Sequence, residues 1–224
     1  MQMQERHFAI LRRHMVEVIE IYAELSGEEL GKDRIDPRVL EAMLRVPRHE
    51  FVPEVLRPFA YNNSPLPIGF DKTISQPFIV AVMTDLLELQ PTHKVLEVGT
   101  GLGYHAAVLA QLVERVWTVE IIEELAEEAS TRLSLLGYHN IAIRVGDGAQ
   151  GWPEHAPFDR ILVTAGAPRV PEALFAQLAP GGRLVLPAGT PDDQRLTVVE
   201  KTRDGHARSR SVMPVRFGEL ETVR

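Results

Sequence analysis

Lys94-Val-Leu-Glu-Val-Gly-Thr-Gly-Leu-Gly-Tyr-His-Ala-Ala-Val-Leu-Ala110, followed by Val116-Trp-Thr-Val-Glu120, decides the fold. Val95, Leu96 and Val98 form the short apolar run of a buried parallel strand, glycines follow at 99, 101 and 103, and Ala, Val and Leu then recur at helical spacing. The pattern predicts strand, glycine turn and helix. Without Cβ atoms the turn can admit a ligand against its backbone, with the N–H groups of the next helix facing it. Glu120 closes the second apolar run. An acidic residue at that strand end of a βαβ unit can accept hydrogen bonds from both ribose hydroxyls, so a nucleoside-bearing cofactor is expected.

The dinucleotide fingerprint requires glycine at position 104, where this chain has Tyr104, and no Lys-Ser or Lys-Thr follows the glycines as a Walker loop requires. NAD and a nucleoside triphosphate are therefore disfavoured. With Glu97 ahead of Gly99, the Glu-x-Gly-x-Gly-x-Gly pattern resembles motif I of the class I S-adenosylmethionine (AdoMet) methyltransferases. Taken alone, it is equally compatible with an ordinary tight strand-to-helix connection.

Outside this stretch, 224 residues suit one compact unit, and a net charge of −7 argues against broad nonspecific nucleic-acid binding. Cysteine is absent, which excludes disulfides, thiolate metal sites and cysteine nucleophiles and is compatible with a reducing compartment. No apolar signal region opens the chain and no run of about 18 apolar residues occurs. A soluble cytoplasmic protein is expected, a monomer bound neither to membrane nor to nucleic acid. The eight histidines show no metal-ligand spacing, so no metal is expected. No serine-hydrolase elbow stands out.

Apolar positions from Phe8 to Leu25 follow helical spacing up to Ser26-Gly27, with Arg6, Arg12 and Arg13 read as a solvated face. Asp36-Pro37 opens a second helix that ends near Arg45. Six prolines between 47 and 77 predict an ordered loop region with little secondary structure, in which His49 reads as a surface residue. Helical periodicity resumes from Phe78 to Leu89, and by residue type alone Ser75 is a capping hydroxyl. A helix follows from Glu123 to Leu136 and a strand from Ile141 to Val145, leading into Gly146-Asp147-Gly148. There Asp147 could accept from an adenine amino group or simply make a turn. Asp159–Thr164 reads as a strand, Pro171–Leu178 as a helix, Pro180-Gly-Gly182 as a tight turn and Arg183–Pro187 as a strand. Residues 196–201 and 211–217 pair as a terminal hairpin whose basic residues, Lys201, Arg203, Arg208, Arg210 and Arg216, keep an edge strand soluble.

From about Asp36 to Lys201 these pieces resemble the protein-L-isoaspartate (D-aspartate) O-methyltransferase family. The resemblance runs through Val46-Pro-Arg-x-x-Phe-Val-Pro53, Ala60-Tyr61, Leu66-Pro-Ile-Gly69, Thr73-Ile-Ser-Gln-Pro77, the glycine motif, Gly146-Asp-Gly-x-x-Gly-Trp-Pro153, Ala156-Pro-Phe-Asp159 and Pro180-Gly-Gly-Arg-Leu184. Thr-Ile-Ser-Gln-Pro is the most specific, because generic class I methyltransferases lack it. The resemblance implies that the family's active-site serine is Ser75, the catalytic residue. It also implies that Lys72, Thr73, Ile74 and Ser75, the loop residues Glu97, Gly99, Thr100, Gly101 and Gly103, Glu120 with Ile121, and Asp147 with Gly148 surround AdoMet, with S-adenosylhomocysteine as product. Three departures stand out, one being that the N-terminal helix, residues 1–30, is not diagnostic of the family. Asp71-Lys72 replaces the Gly-Gln of many relatives, and Phe217-Gly-Glu-Leu220 matches the family's closing Val-Pro-Leu poorly.

The implied fold is α/β: a Rossmann-like, doubly wound, mostly parallel sheet with an N-terminal helical and loop extension and a C-terminal β-hairpin. Residues 1–77 would form the covering part and 78–224 the AdoMet-binding catalytic part. The implied activity is methyl transfer to the free carboxylate of L-isoaspartyl residues in damaged proteins, with D-aspartyl residues as a second target the resemblance allows, and damaged proteins or peptides containing isoaspartate as partners. A class I methyltransferase acting on RNA, on a small molecule or on normal aspartate, and a noncatalytic AdoMet-binding protein, are the competing readings.

Overall fold

The computed structural model describes residues 2–223, with side chains from residue 5 onward; Met1 and Arg224, the outer ends of the two expected parts, lie outside them. The chain opens with α1 (Gln2–Leu25), the single turn α2 (Gly27–Leu30) and α3 (Pro37–Arg45). Asp36 caps α3 as expected, its carboxylate accepting from Arg38 N at 2.8 Å, with Pro37 at the first helical position. After 3₁₀ turns at Arg48–Phe51 and Glu54–Phe59 come β1 (Leu66–Gly69), β2 (Lys72–Ile74) and α4 (Pro77–Leu86). The remainder alternates: β3 (Lys94–Val98), α5 (Tyr104–Ala110), β4 (Arg115–Glu120), α6 (Glu123–Leu135), β5 (Ile141–Val145), β6 (Phe158–Val163), α7 (Glu172–Gln177), β7 (Leu178–Thr190), β8 (Asp193–Lys201) and β9 (Ala207–Val215).

Seven strands form one sheet in the order β5-β4-β3-β6-β7-β8-β9, parallel from β5 to β7 and antiparallel from β7 to β9. This is the expected mostly parallel, Rossmann-like sheet with a terminal hairpin. Strand order reverses between β3 and β6, which leaves a crevice at their carboxyl ends, where α/β sheets bind ligands. Alternate residues of β3 enter different cores, Val95 beneath the helices of the N-terminal half and Leu96 and Val98 on the α7 face. Burial on both faces is why these strands read as continuous apolar runs.

Four local expectations are corrected. Residues 46–77 are not all loop, since β1 and β2 form a hairpin that pairs Leu66 with Ile74. Its turn residues Phe70 and Asp71 have φ of 54° and 55°, the double left-handed turn usually made by Asn-Gly, so the usual signature is missing. Arg12 is buried, because its guanidinium reaches Glu5 at 3.0 Å and the Arg45 carbonyl at 3.3 Å. His49 is buried as well, stacked on Phe8 and bonded through Nδ1 to the Tyr61 hydroxyl at 2.7 Å. Finally, Pro180-Gly-Gly182 lies inside β7, where an irregular register against β6 takes the place of a separate turn.

Candidate active site

The crevice holds a cavity of about 620 Å³, within the range of small-molecule sites. Lys72, Thr73 and Ser75 line it from the hairpin side, Gly99 and Gly101 from the loop after β3, Glu120 and Ile121 from the end of β4, and Gly148 from the turn after β5. Ile74 and Thr100 line an adjoining cavity of about 60 Å³ that also touches Thr73, Ser75 and His105. Glu97, Gly103 and Asp147 line neither.

Three glycines of one motif thus have different surroundings. A Cβ on Gly99 would lie 2.3 Å from Thr164 Oγ1, and one on Gly103 would lie 3.0 Å from Leu133 Cδ1. These two keep the loop tight against β6 and α6. Gly101 has φ +52° and a Cβ there would meet only Ile68 Cδ1, at 3.2 Å, so it is the glycine that leaves room on the cavity side.

Glu120 is nearly buried, and its carboxylate already accepts from Gly101 N at 2.8 Å and Ile122 N at 3.0 Å. It therefore clamps the glycine loop to β4. A carboxylate offers about four acceptor positions, so about two remain for a ligand's hydroxyls. Asp147 accepts from Ala149 N at 2.9 Å and from Val223 N at 3.3 Å, which makes it a turn residue that also holds the C-terminal segment.

Glu97 sits under the loop, fully buried. Its Oε2 accepts from the Thr118 hydroxyl at 2.6 Å, Thr118 contacts Thr100 at 2.6 Å, and Oε1 has no partner. Burial pushes this carboxyl up to about 8, with the Thr118 bond opposing the shift and Glu120 reinforcing it.

Ser75 precedes α4, but Asn63 Oδ1 takes the Phe78 N–H at 3.0 Å, and no hydrogen bond of the Ser75 hydroxyl occurs among the described residues. The capping role is filled from elsewhere, and the hydroxyl borders the cavity free of it.

Residues 213–221 form a further wall, which the sequence pointed to only through the poorly matched closing segment Phe217–Leu220. They reach the site because Gly166 N donates to the Gly218 carbonyl and Leu220 N to the Gly166 carbonyl, both at 2.8 Å, while Gln194 bonds both backbone groups of Phe217. Lys72, one of the divergent hairpin residues, forms an ion pair with Glu221 of this segment. Arg216, read as a solubility charge, is a wall residue too. Tyr22 and Ser26, from the end of α1 and the bend beyond it, complete the outer rim. Among the described residues, no group of three or more His, Asp or Glu side chains is placed to hold a metal ion, and no helix is long and apolar enough to cross a membrane.

The same architecture recurs in solved structures. A protein-L-isoaspartate O-methyltransferase superposes with a TM-score of 0.80 at 28% identity, covering 94% of this chain and 66% of its own. A putative protein-L-isoaspartate O-methyltransferase from Plasmodium falciparum, solved with S-adenosyl-L-homocysteine, gives 0.77 at 23% identity and covers 94% and 98%; at that identity it speaks for the fold alone. Among curated sequences, protein-L-isoaspartate O-methyltransferase 1 of a Polaromonas species is 54% identical over 219 residues, 98% of this chain and 93% of that one. The Methanopyrus kandleri protein-L-isoaspartate O-methyltransferase is 60% identical over 177 residues, 77% and 78% of the two chains. The family model for protein-L-isoaspartate(D-aspartate) O-methyltransferase matches residues 27–222, from the turn after the first helix through the C-terminal wall of the cavity. By its fold and by this match over nearly its whole length, the chain belongs to the protein-L-isoaspartate(D-aspartate) O-methyltransferase family.

Proposed function

We propose that this enzyme transfers the methyl group of AdoMet to the free carboxylate of L-isoaspartyl residues in damaged proteins and so initiates their repair. The observation that carries the reading is the Ser75 hydroxyl, which borders the cavity between hairpin and glycine loop while Asn63 does the capping. The cavity suits the cofactor: a Cβ-free position at Gly101 and a nearly buried carboxylate at Glu120 stand on the same wall. Glu120 would hold the ribose hydroxyls, with Gly99, Gly101, Ile121 and Gly148 around the nucleoside. Lys72 and Thr73 would close over it. Asp147, outside the cavity wall, would act on the adenine side through its turn, by holding Gly148 at the cavity.

When bound, AdoMet supplies a methyl group activated by its own sulfonium. A carboxylate is already a nucleophile, so the protein needs to position and desolvate it, and no general base is required. Ser75 donates to the accepting carboxylate and aims it. Ile68, Phe78, Ile121 and Phe217 exclude water around it. The segment 1–77 forms the covering part and 78–224 the cofactor-binding part. Methylation turns the unreactive isoaspartyl carboxylate into an ester; the following backbone nitrogen attacks the ester carbon, its proton and the methoxide leave as methanol, and the succinimide formed returns some normal aspartate on hydrolysis. A monomer working in the reducing cytoplasm fits the cysteine-free composition.

The test is methyl transfer from labelled AdoMet to matched peptides containing isoaspartate or aspartate. The isoaspartyl peptide is expected to be methylated and its counterpart scarcely at all, and Ser75→Ala should lower transfer far more than S-adenosylhomocysteine affinity. Equal rates on the two peptides, or normal turnover in Ser75→Ala, would overturn the reading.

A further inference from the structure

Arg48, in the Val-Pro-Arg motif, is fully buried, and among the described residues no carboxylate pairs with it. Its Nε donates to the Ala60 carbonyl at 2.8 Å and its Nη2 to the Ser75 carbonyl at 2.7 Å, while Nη1 has no acceptor. The guanidinium lies over the Tyr104 ring, 4.8 Å from its centroid, and Phe51 from the same 3₁₀ turn meets that ring edge-on at 5.6 Å. Tyr104 is the first residue of α5, directly after Gly103. One side chain thereby joins the backbone of Ser75, the Ala60 corner and the end of the glycine loop.

Burying an unpaired cation is costly, and burial lowers this guanidinium to about 10, so it remains charged at neutral pH. Simple packing of this space would be served better by an apolar side chain. The planar fork does what an apolar chain cannot: it holds two carbonyls at fixed angles while stacking on an aromatic face. Beyond Ser75 the chain is fixed by Pro77 in the first turn of α4, and before it by the pairing of Ile74 with Leu66. The Ser75 peptide plane, and with it the Cα–Cβ bond that carries the hydroxyl toward the cavity, is then held by the bond from Arg48 to its carbonyl.

We infer that Arg48 is a positioning residue: by holding the Ser75 carbonyl against the Tyr104 platform it fixes the backbone from which the Ser75 hydroxyl reaches the cavity and ties that backbone to the glycine loop. The inference rests on the reading that this hydroxyl receives the substrate carboxylate. It also accounts for tyrosine at position 104, where a dinucleotide fold would have glycine.

The test is a double-mutant cycle on the full chain with Arg48→Lys and Ser75→Ala. It reads kcat and KM for an isoaspartyl peptide and S-adenosylhomocysteine affinity by calorimetry, well below each variant's melting midpoint. Arg48→Lys is expected to lower kcat/KM about 10- to 100-fold, as a misplaced contact does, with cofactor affinity nearly unchanged. In the Ser75→Ala background the same substitution should cost less than about threefold, because the hydroxyl whose backbone it fixes is gone. Independent multiplication of two real defects would overturn the inference and leave the Ser75 reading standing. Normal turnover in Ser75→Ala alone would remove both. Should Arg48→Lys fail to fold, Tyr104→Leu removes the platform and should give a smaller loss that again disappears beside Ser75→Ala; a loss that persists there overturns the inference.

Discussion

Glu120→Gln is the most informative perturbation of the cofactor site. The carboxylate takes the Gly101 and Ile122 N–H groups, one on each oxygen, and both oxygens keep acceptor capacity toward the cavity. An amide retains only one acceptor oxygen, so its NH₂ must face either a backbone N–H or a ribose hydroxyl meant to donate to it. Hydrogen bonds to a charged group contribute about 1.5–3 kcal/mol, and the nearly buried position offers little water to replace them. Losing one such bond raises the Kd for S-adenosylhomocysteine about 10- to 150-fold. The loop clamp is lost with it, so Glu120→Ala should be at least as weak. Isothermal titration calorimetry on the wild-type chain and both variants, at a temperature where all are folded, checks this. A Kd within about threefold of wild type in both variants, together with a lowered melting midpoint, would refute the reasoning and reduce Glu120 to a clamp of the loop.

Asp147→Ala should cost about 0.5–2 kcal/mol of stability through loss of its Ala149 cap and should weaken cofactor binding less than Glu120→Ala does; a fall in melting temperature with unchanged affinity would make it a turn residue alone. Initial methyl-transfer rates should be nearly flat from about pH 6 to 7.5, since a substrate carboxylate with a pKa near ~4 is already ionised there. His105, which borders the smaller cavity, is held down to about 3 by burial and stays neutral throughout, so a bell centred near neutrality would contradict the base-free mechanism. His49 borders neither cavity, and its pKa is lowered by burial, so His49→Gln should leave the profile unchanged. Glu97, raised to about 8 from an ordinary carboxylate, binds its proton more tightly folded than unfolded, so its contribution to stability falls as pH rises from about 4.5 through 8. Glu97→Gln should remove that slope, with a gain on the order of a few kcal/mol that is fully developed above pH 8; denaturant unfolding at pH 5 and pH 8.5 giving the same difference would refute this.

The alternating strand and helix pattern from Lys94 to Val145 was legible because each element there is defined by local physics: apolar runs for doubly buried strands, caps and glycines at their ends. Ser75, by contrast, acquired its candidate role in the sequence only by resemblance, because its residue type equally suits a helix cap. In the folded chain Asn63 takes the N–H in the first turn of α4, and the serine borders the cavity.

What the sequence determined by itself is the β3–glycine loop–α5–β4 unit with Glu120 at its end, because this depends on periodicity and on spacing within about 25 residues. What only the tertiary structure decided depends on contacts between distant segments. Glu97 passes beneath the loop instead of into the cavity because alternate residues of a strand face opposite sides of the sheet and the loop turns away above it. Arg12 and His49 are buried because each meets a polar partner on another segment, Arg12 the Arg45 carbonyl and His49 the Tyr61 hydroxyl, and no local composition shows such a partner. Residues 213–221 become a wall of the site through hydrogen bonds to Gly166 and Gln194, and Arg48 reaches Ser75 from 27 residues away. Such bonds satisfy buried polar groups over long loops, so their partners are chosen by the folded chain as a whole.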